Sequence, residues 1–166
     1  MTTSDEAWEE RIAALWAALD DHEEEEFLEK VRGLTAELPA GDPRIPFELA
    51  CAHDSTGSSD RAVPLYRQAL EAGLTGVRRR RAVIQLASSL RNVGQVKESV
   101  TLLETEREAG SDALDDAVAG FLALALADVG REREALSYAL VALARHLPRY
   151  NRSLANYARD LTGEPA

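Results

Sequence analysis

Three stretches of this chain reuse one arrangement of residues. The first holds Leu49-Ala50, Gly57, Ala62, Tyr66 and Ala69-Leu70; the second Leu86-Ala87, Gly94, Ser99 and Leu103; the third Leu122-Ala123, Gly130, Ala135, Ala139 and Ala142-Leu143. Gly57 and Gly94 lie 37 residues apart, and Gly94 and Gly130 lie 36 apart. A fixed period of that size belongs to helical solenoids. In each stretch the Leu-Ala pair precedes the glycine by about two helical turns, and a small residue follows it by five. A helix, a turn at the glycine and a second helix satisfy that spacing. Glycine ends the first helix because it tolerates positive φ without a Cβ clash. The small residue lets the second helix approach the first closely.

The composition agrees with packed helices. Of 166 residues, 45% are hydrophobic but only 5% aromatic, so the core is built from Leu, Ala and Val. No long alternating run of β-branched residues marks a strand. The length predicts a single domain over residues 1–166. The lone cysteine, Cys51, excludes an intrachain disulfide and points to a reducing compartment. The opening residues run into an acidic helix and carry no pattern of a secretory signal. No apolar run has the length of a membrane span. A cytoplasmic protein with no membrane partner is the expectation.

The net charge of −10 is uneven: residues 1–60 carry −12 and residues 61–166 carry +2. An acidic end argues against general affinity for nucleic acid or anionic lipid, which need a positive face.

Amphipathic spacing predicts helices near residues 5–19 and 22–38, the second opening on Glu23 to Glu26, which the helix dipole favours. Pro39, Gly41 and Pro43 then break the chain. Further helices are expected near 44–55 and 60–72, 77–92 and 95–109, and 112–129 and 131–146. Ser59 or Asp60 is the expected cap of the fourth, with Pro64 in its first turn. Past Pro148, residues 150–161 read as a capping helix with Leu154, Tyr157, Ala158 and Leu161 on its inward side. A loose tail is expected over residues 162–166.

The pattern of Leu-Ala, Gly, Ala, a large residue and Ala-Leu resembles the tetratricopeptide repeat. Residues 43–76 carry it most completely, through Leu49, Ala50, Gly57, Ala62, Tyr66, Ala69 and Leu70. Residues 116–149 carry Leu122, Ala123, Gly130, Ala135 and Ala142, whereas residues 80–113 place Ser99 and Glu106 where the family prefers Ala. Residues 5–38 match only in amphipathic form, as a degenerate N-terminal pair. The chain is similar to small bacterial proteins of the group five tetratricopeptide family. The resemblance implies an all-α, right-handed superhelix of about four helix pairs plus the capping helix at 150–161.

Nothing in the sequence assembles a catalytic centre. His22, His53 and His146 lack a second ligand at helical metal-binding spacing, and no phosphate-cradling glycine loop or nucleophile elbow occurs. Neighbouring glutamates such as Glu23 to Glu26 point around the helix axis and cannot form one acid/base pair. The expectation is a non-enzyme with no cofactor and no metal.

The resemblance instead implies a concave groove lined by the first helix of each pair. Its positions here are Arg44, Phe47, Cys51, Asp54 and Ser55; Arg81, Ile84, Ser88, Arg91 and Asn92; and Ala117, Gly120, Leu124, Ala127 and Asp128. Arg81 and Arg91 can hold a carboxylate through paired donors, Asn92 can bond a peptide backbone, and Ile84 and Leu124 offer apolar contact. A protein or peptide partner with an acidic group fits that chemistry. The run Arg78 to Arg81 repels itself and opposes the helix dipole, so an acidic counterpart should lie close, either within the chain or on a partner. Two other readings stay open: a self-associating homodimer or larger structural homo-oligomer, and a nucleic-acid or nucleotide accessory domain using the Arg78 to Arg81 run.

Overall fold

The computed structural model describes residues 3–163, so the last residues of the expected tail, 164–166, lie outside it. Among the described residues there are nine α-helices and no strand. They are α1 (Thr3–Ala17), α2 (Glu24–Thr35), α3 (Arg44–Ser55), α4 (Ser59–Glu71), α5 (Gly76–Asn92), α6 (Val96–Ala109), α7 (Asp115–Asp128), α8 (Glu132–Ala144) and α9 (Asn151–Asp160), with a short 3-10 turn at Leu19–Asp21. The chain divides into two compact units, one ending at Ala82 and the other beginning at Val83, and the division falls inside α5.

The repeated glycines end their helices in one way. After α3 the N–H of Gly57 donates to the Asp54 carbonyl and that of Ser58 to the His53 carbonyl, with Gly57 at φ +82°. This pair of crossed bonds satisfies carbonyls that the helix end leaves open, and it needs a left-handed residue between them. Gly94 after α5 and Gly130 after α7 repeat the pattern.

In the N-terminal unit α1 packs on α2, α2 on α3 and α3 on α4. Trp8 and Ile12 are buried, and the Trp8 indole N–H donates to the Leu34 carbonyl at 2.9 Å, which ties α1 to the end of α2. Phe27 and Val31 of α2 are fully buried, with the Trp16 ring edge-on to Phe27 at 5.0 Å. Ala62 lies with no exposed surface, and so do Tyr66 one turn further along α4 and Phe47 on the facing α3. The small residue five after the glycine is thus fully buried where α3 and α4 pack together.

Two local expectations for α4 are corrected. Ser59 is the first residue of the helix and Asp60 sits in its first turn, while Ser58 occupies the capping position without a side-chain cap bond. Ser59 turns its hydroxyl to the Asp54 carboxylate instead, at 3.3 Å. Because the helix starts early, Pro64 falls in its second turn and removes one internal hydrogen bond. Pro64 is exposed, so water reaches the carbonyl left open.

In the C-terminal unit the core gathers Leu103 of α6 and Val118, Leu122, Ala125 and Leu126 of α7, against Ile84 and Ala87 of α5. Ser99 replaces the alanine of the other repeats and is fully buried, yet its hydroxyl donates to the Ala87 carbonyl at 2.7 Å. The partner belongs to the Leu-Ala pair of the same repeat, so the polar substitution is satisfied where the two helices touch. The helix α9 packs on α8 and buries Ala158. Tyr157, expected on the inward side of α9, is 71% exposed. A ten-residue helix with one fully buried position offers an alanine to α8, and the bulk of Tyr157 falls outside that narrow contact.

Candidate functional site

The helices α3, α5 and α7 carry the positions assigned to a partner groove, and the two units are taken in turn. In the N-terminal unit Arg44, the first residue of α3, donates through Nε and Nη2 to the Asp42 carboxylate at 3.0 and 2.6 Å, and through Nη1 to Glu9 at 3.3 Å. Its guanidinium lies 5.0 Å from the centre of the Trp8 ring. Phe47 is fully buried and supports Arg81, whose guanidinium stands 5.4 Å over its ring, so Arg81 is the exposed member of that stack. Cys51 is buried beside the Tyr66 hydroxyl, 3.5 Å away. Burial pushes the Cys51 thiol up to about 12 and raises the Tyr66 phenol well above its usual range. Asp54 is half-buried and Ser55 exposed.

Part of the arginine run is directed inward. Arg78 donates to Glu9 through Nη1 and Nη2 at 3.0 and 2.5 Å, and through Nε to Glu48 at 3.2 Å. Glu48 is buried and accepts the Trp16 indole N–H at 2.8 Å on its other oxygen. Arg80 is also buried, at 6% exposure. The Arg78 guanidinium holds the Glu9 carboxyl below the usual carboxylate range, and Arg44 does the same for Asp42. The acidic counterpart that like charges in sequence demand is thus supplied, for Arg78, by α1 and α3 of the same unit. This cluster was not assigned from sequence, where nothing sets Glu9 or Glu48 apart from the chain's other carboxylates.

In the C-terminal unit Ile84 is buried in the core, Ser88 is half-buried and Asn92 is exposed. Arg91 donates through Nε to Asp128 in a close ion pair, bringing together α5 and α7 across 37 residues of sequence. Both side chains keep about a third of their surface, 31% and 37%. Leu124 stands one turn before Asp128 on α7 and is 47% exposed. Ala117 and Gly120 are half-buried and Ala127 is exposed. Of the expected groove positions, then, the structure joins Arg91 to Asp128 directly and keeps Ile84 within the core.

The sequence model of the family described as Tetratrico peptide repeat matches residues 43–161, well over half of the chain. The chain belongs to the tetratricopeptide repeat family. The match covers α3 to α9 and leaves α1 and α2 outside it. Repeats of this family generally mediate protein–protein interaction, and the family is typically a non-enzymatic scaffold. No curated protein and no solved structure matches the chain. Among the described residues no helix is long and apolar enough to cross a membrane.

Proposed function

We propose that this tetratricopeptide repeat chain is a protein-recognition module that takes a partner segment bearing a carboxylate beside an apolar side chain, on the faces of α5 and α7 in the C-terminal unit. The observation that supports the reading is the exposed Leu124 next to the half-exposed Arg91 and Asp128 pair. An ion pair open to solvent contributes little to stability, about 0–1 kcal/mol, so its arginine can exchange one carboxylate for another at small cost. A partner carboxylate would replace Asp128 on the Arg91 guanidinium, Asn92 would meet its backbone, and Leu124 would cover its apolar side chain. Arg81, exposed on the same helix, is the charged position of the N-terminal unit that the reading assigns to partner contact.

Affinity capture from native lysate tests this, comparing the parent chain with an Arg91→Glu, Leu124→Ser variant whose helicity is checked by circular dichroism. A specific partner captured by the parent and lost from the variant supports the site. Equal capture by both removes the assignment to α5 and α7. Recovery of the chain itself as the sole captured species replaces the reading with self-association.

A further inference from the structure

The last two helices, α8 and α9, meet along a groove that none of the positions discussed above lines. The groove between α8 and α9 has a volume of about 230 Å³ and an apolar floor of Val141, Ala144 and Ala155. Arg145, Arg152 and Arg159 stand around it, and no carboxylate lines it. Arg145 is answered by Asp116 at 3.0 Å, and Arg159 donates to the Asn156 amide oxygen at 3.4 Å with no ion pair among the described residues. Arg152 makes no side-chain ion pair among the described residues. In a chain of net charge −10, a groove edged by Arg152 and Arg159, with Arg145 already paired to Asp116, is complementary to an acidic ligand.

Tyr150, immediately before α9, is the one non-glycine residue at positive φ among the described residues, at +65°, and its side chain is 77% exposed. That left-handed backbone state is strained for a residue with a Cβ. Tyrosine and arginine are the residue types enriched where one protein grips another.

We infer that the α8–α9 groove docks an acidic peptide segment of a partner protein, with one aliphatic side chain on the Val141, Ala144 and Ala155 floor and flanking carboxylates on Arg152 and Arg159. The apolar floor sets it apart from a plain charge patch, since a purely anionic ligand leaves that floor uncovered. The site is independent of the surface under Proposed function.

The test uses the full chain and a fluorescein-labelled synthetic peptide of four glutamates around a central leucine, read by fluorescence anisotropy. The expected result is saturable binding that weakens at least tenfold in an Arg152→Glu, Arg159→Glu variant and at least threefold when the leucine of the probe is replaced by serine. An Arg32→Glu, Arg61→Glu variant, which makes the same charge change at exposed positions of α2 and α4, should bind the probe as the parent does. Equal binding of the serine probe, loss of binding in the Arg32→Glu, Arg61→Glu variant as well, or no saturation below 1 mM would each overturn the inference. Light scattering completes the test: self-association abolished by Arg152→Glu, Arg159→Glu would assign the groove to a second copy and overturn the partner peptide.

Discussion

Glu9 and Arg78 meet in a two-pronged ion pair across 69 residues, joining the first helix to the start of α5 within the N-terminal unit. Each keeps about a quarter of its side chain exposed, and Arg78 also reaches the buried Glu48. The match to the repeat family begins at residue 43, yet this pair binds a helix outside the match to one inside it. Residues 3–35 therefore act as part of the N-terminal unit and do not merely precede the repeats.

Removing the Glu9 carboxylate should leave Arg78 and Arg44 half-buried without one of their acceptors. Glu9→Ala is expected to destabilise the chain by about 1.5–3 kcal/mol, the range for hydrogen bonds to charged groups. Urea unfolding followed by circular dichroism measures it. A change within 0.5 kcal/mol would mean that Asp42 and Glu48 suffice for the two arginines.

His53 is 7% exposed, and its Nδ1 has no hydrogen-bond partner among the described residues. Burial, with Arg61 and Arg32 nearby, holds its pKa below the ordinary 6.5. The unfolded chain therefore takes up this proton first as pH falls. The stabilisation from keeping His53 neutral is present above about 6.5 and is lost progressively below it, down to the folded pKa. The urea midpoint should fall between pH 7 and 5.5 more steeply for the parent than for His53→Leu. Parallel curves would show that His53 protonates equally easily in both states.

Gly94 and Gly33 should respond to alanine with opposite signs, although a Cβ at either meets no atom within 4 Å. Gly94 sits at φ +82°, where a side chain costs about 1–2 kcal/mol. Gly33 lies within α2, where alanine is favoured by about 0.5–1 kcal/mol. Gly94→Ala should lower the thermal midpoint and Gly33→Ala should raise it. Equal shifts would refute the conformational explanation, because the space around both positions is alike.

Cys51 should resist thiol reagents in the native state. Its thiol is 3% exposed and pushed up to about 12, so the reactive thiolate is scarce at neutral pH. Labelling by iodoacetamide should proceed at the rate of opening of the N-terminal unit and speed up in parallel with denaturation by urea. Rapid labelling in buffer alone would place the thiol at the surface.

The helices and their turns were legible in the sequence because each rests on local physics. A glycine that must adopt positive φ, a small residue at a close contact and apolar spacing at the helical period are all properties of nearby residues. Gly57, Ala62 and Tyr66 accordingly stand where the repeat pattern puts them. The start of α4 and the outward turn of Tyr157 were misread, since a boundary or a rotation of one position depends on what the neighbouring helix accepts.

Charge was legible only as composition. The sequence shows four consecutive arginines and an acidic N-terminal third, but which carboxylate meets which guanidinium is decided by helices that approach across tens of residues. Tertiary packing directs Arg78 to Glu9 and Glu48, places Arg81 on Phe47, and pairs Arg91 with Asp128. Long-range pairing of this kind leaves no periodic trace, because a charged side chain is equally compatible with water and with a partner until the fold brings one near. Local propensity and spacing thus determined the repeat of helices, and the third dimension alone decided which of its charges remain available to another molecule.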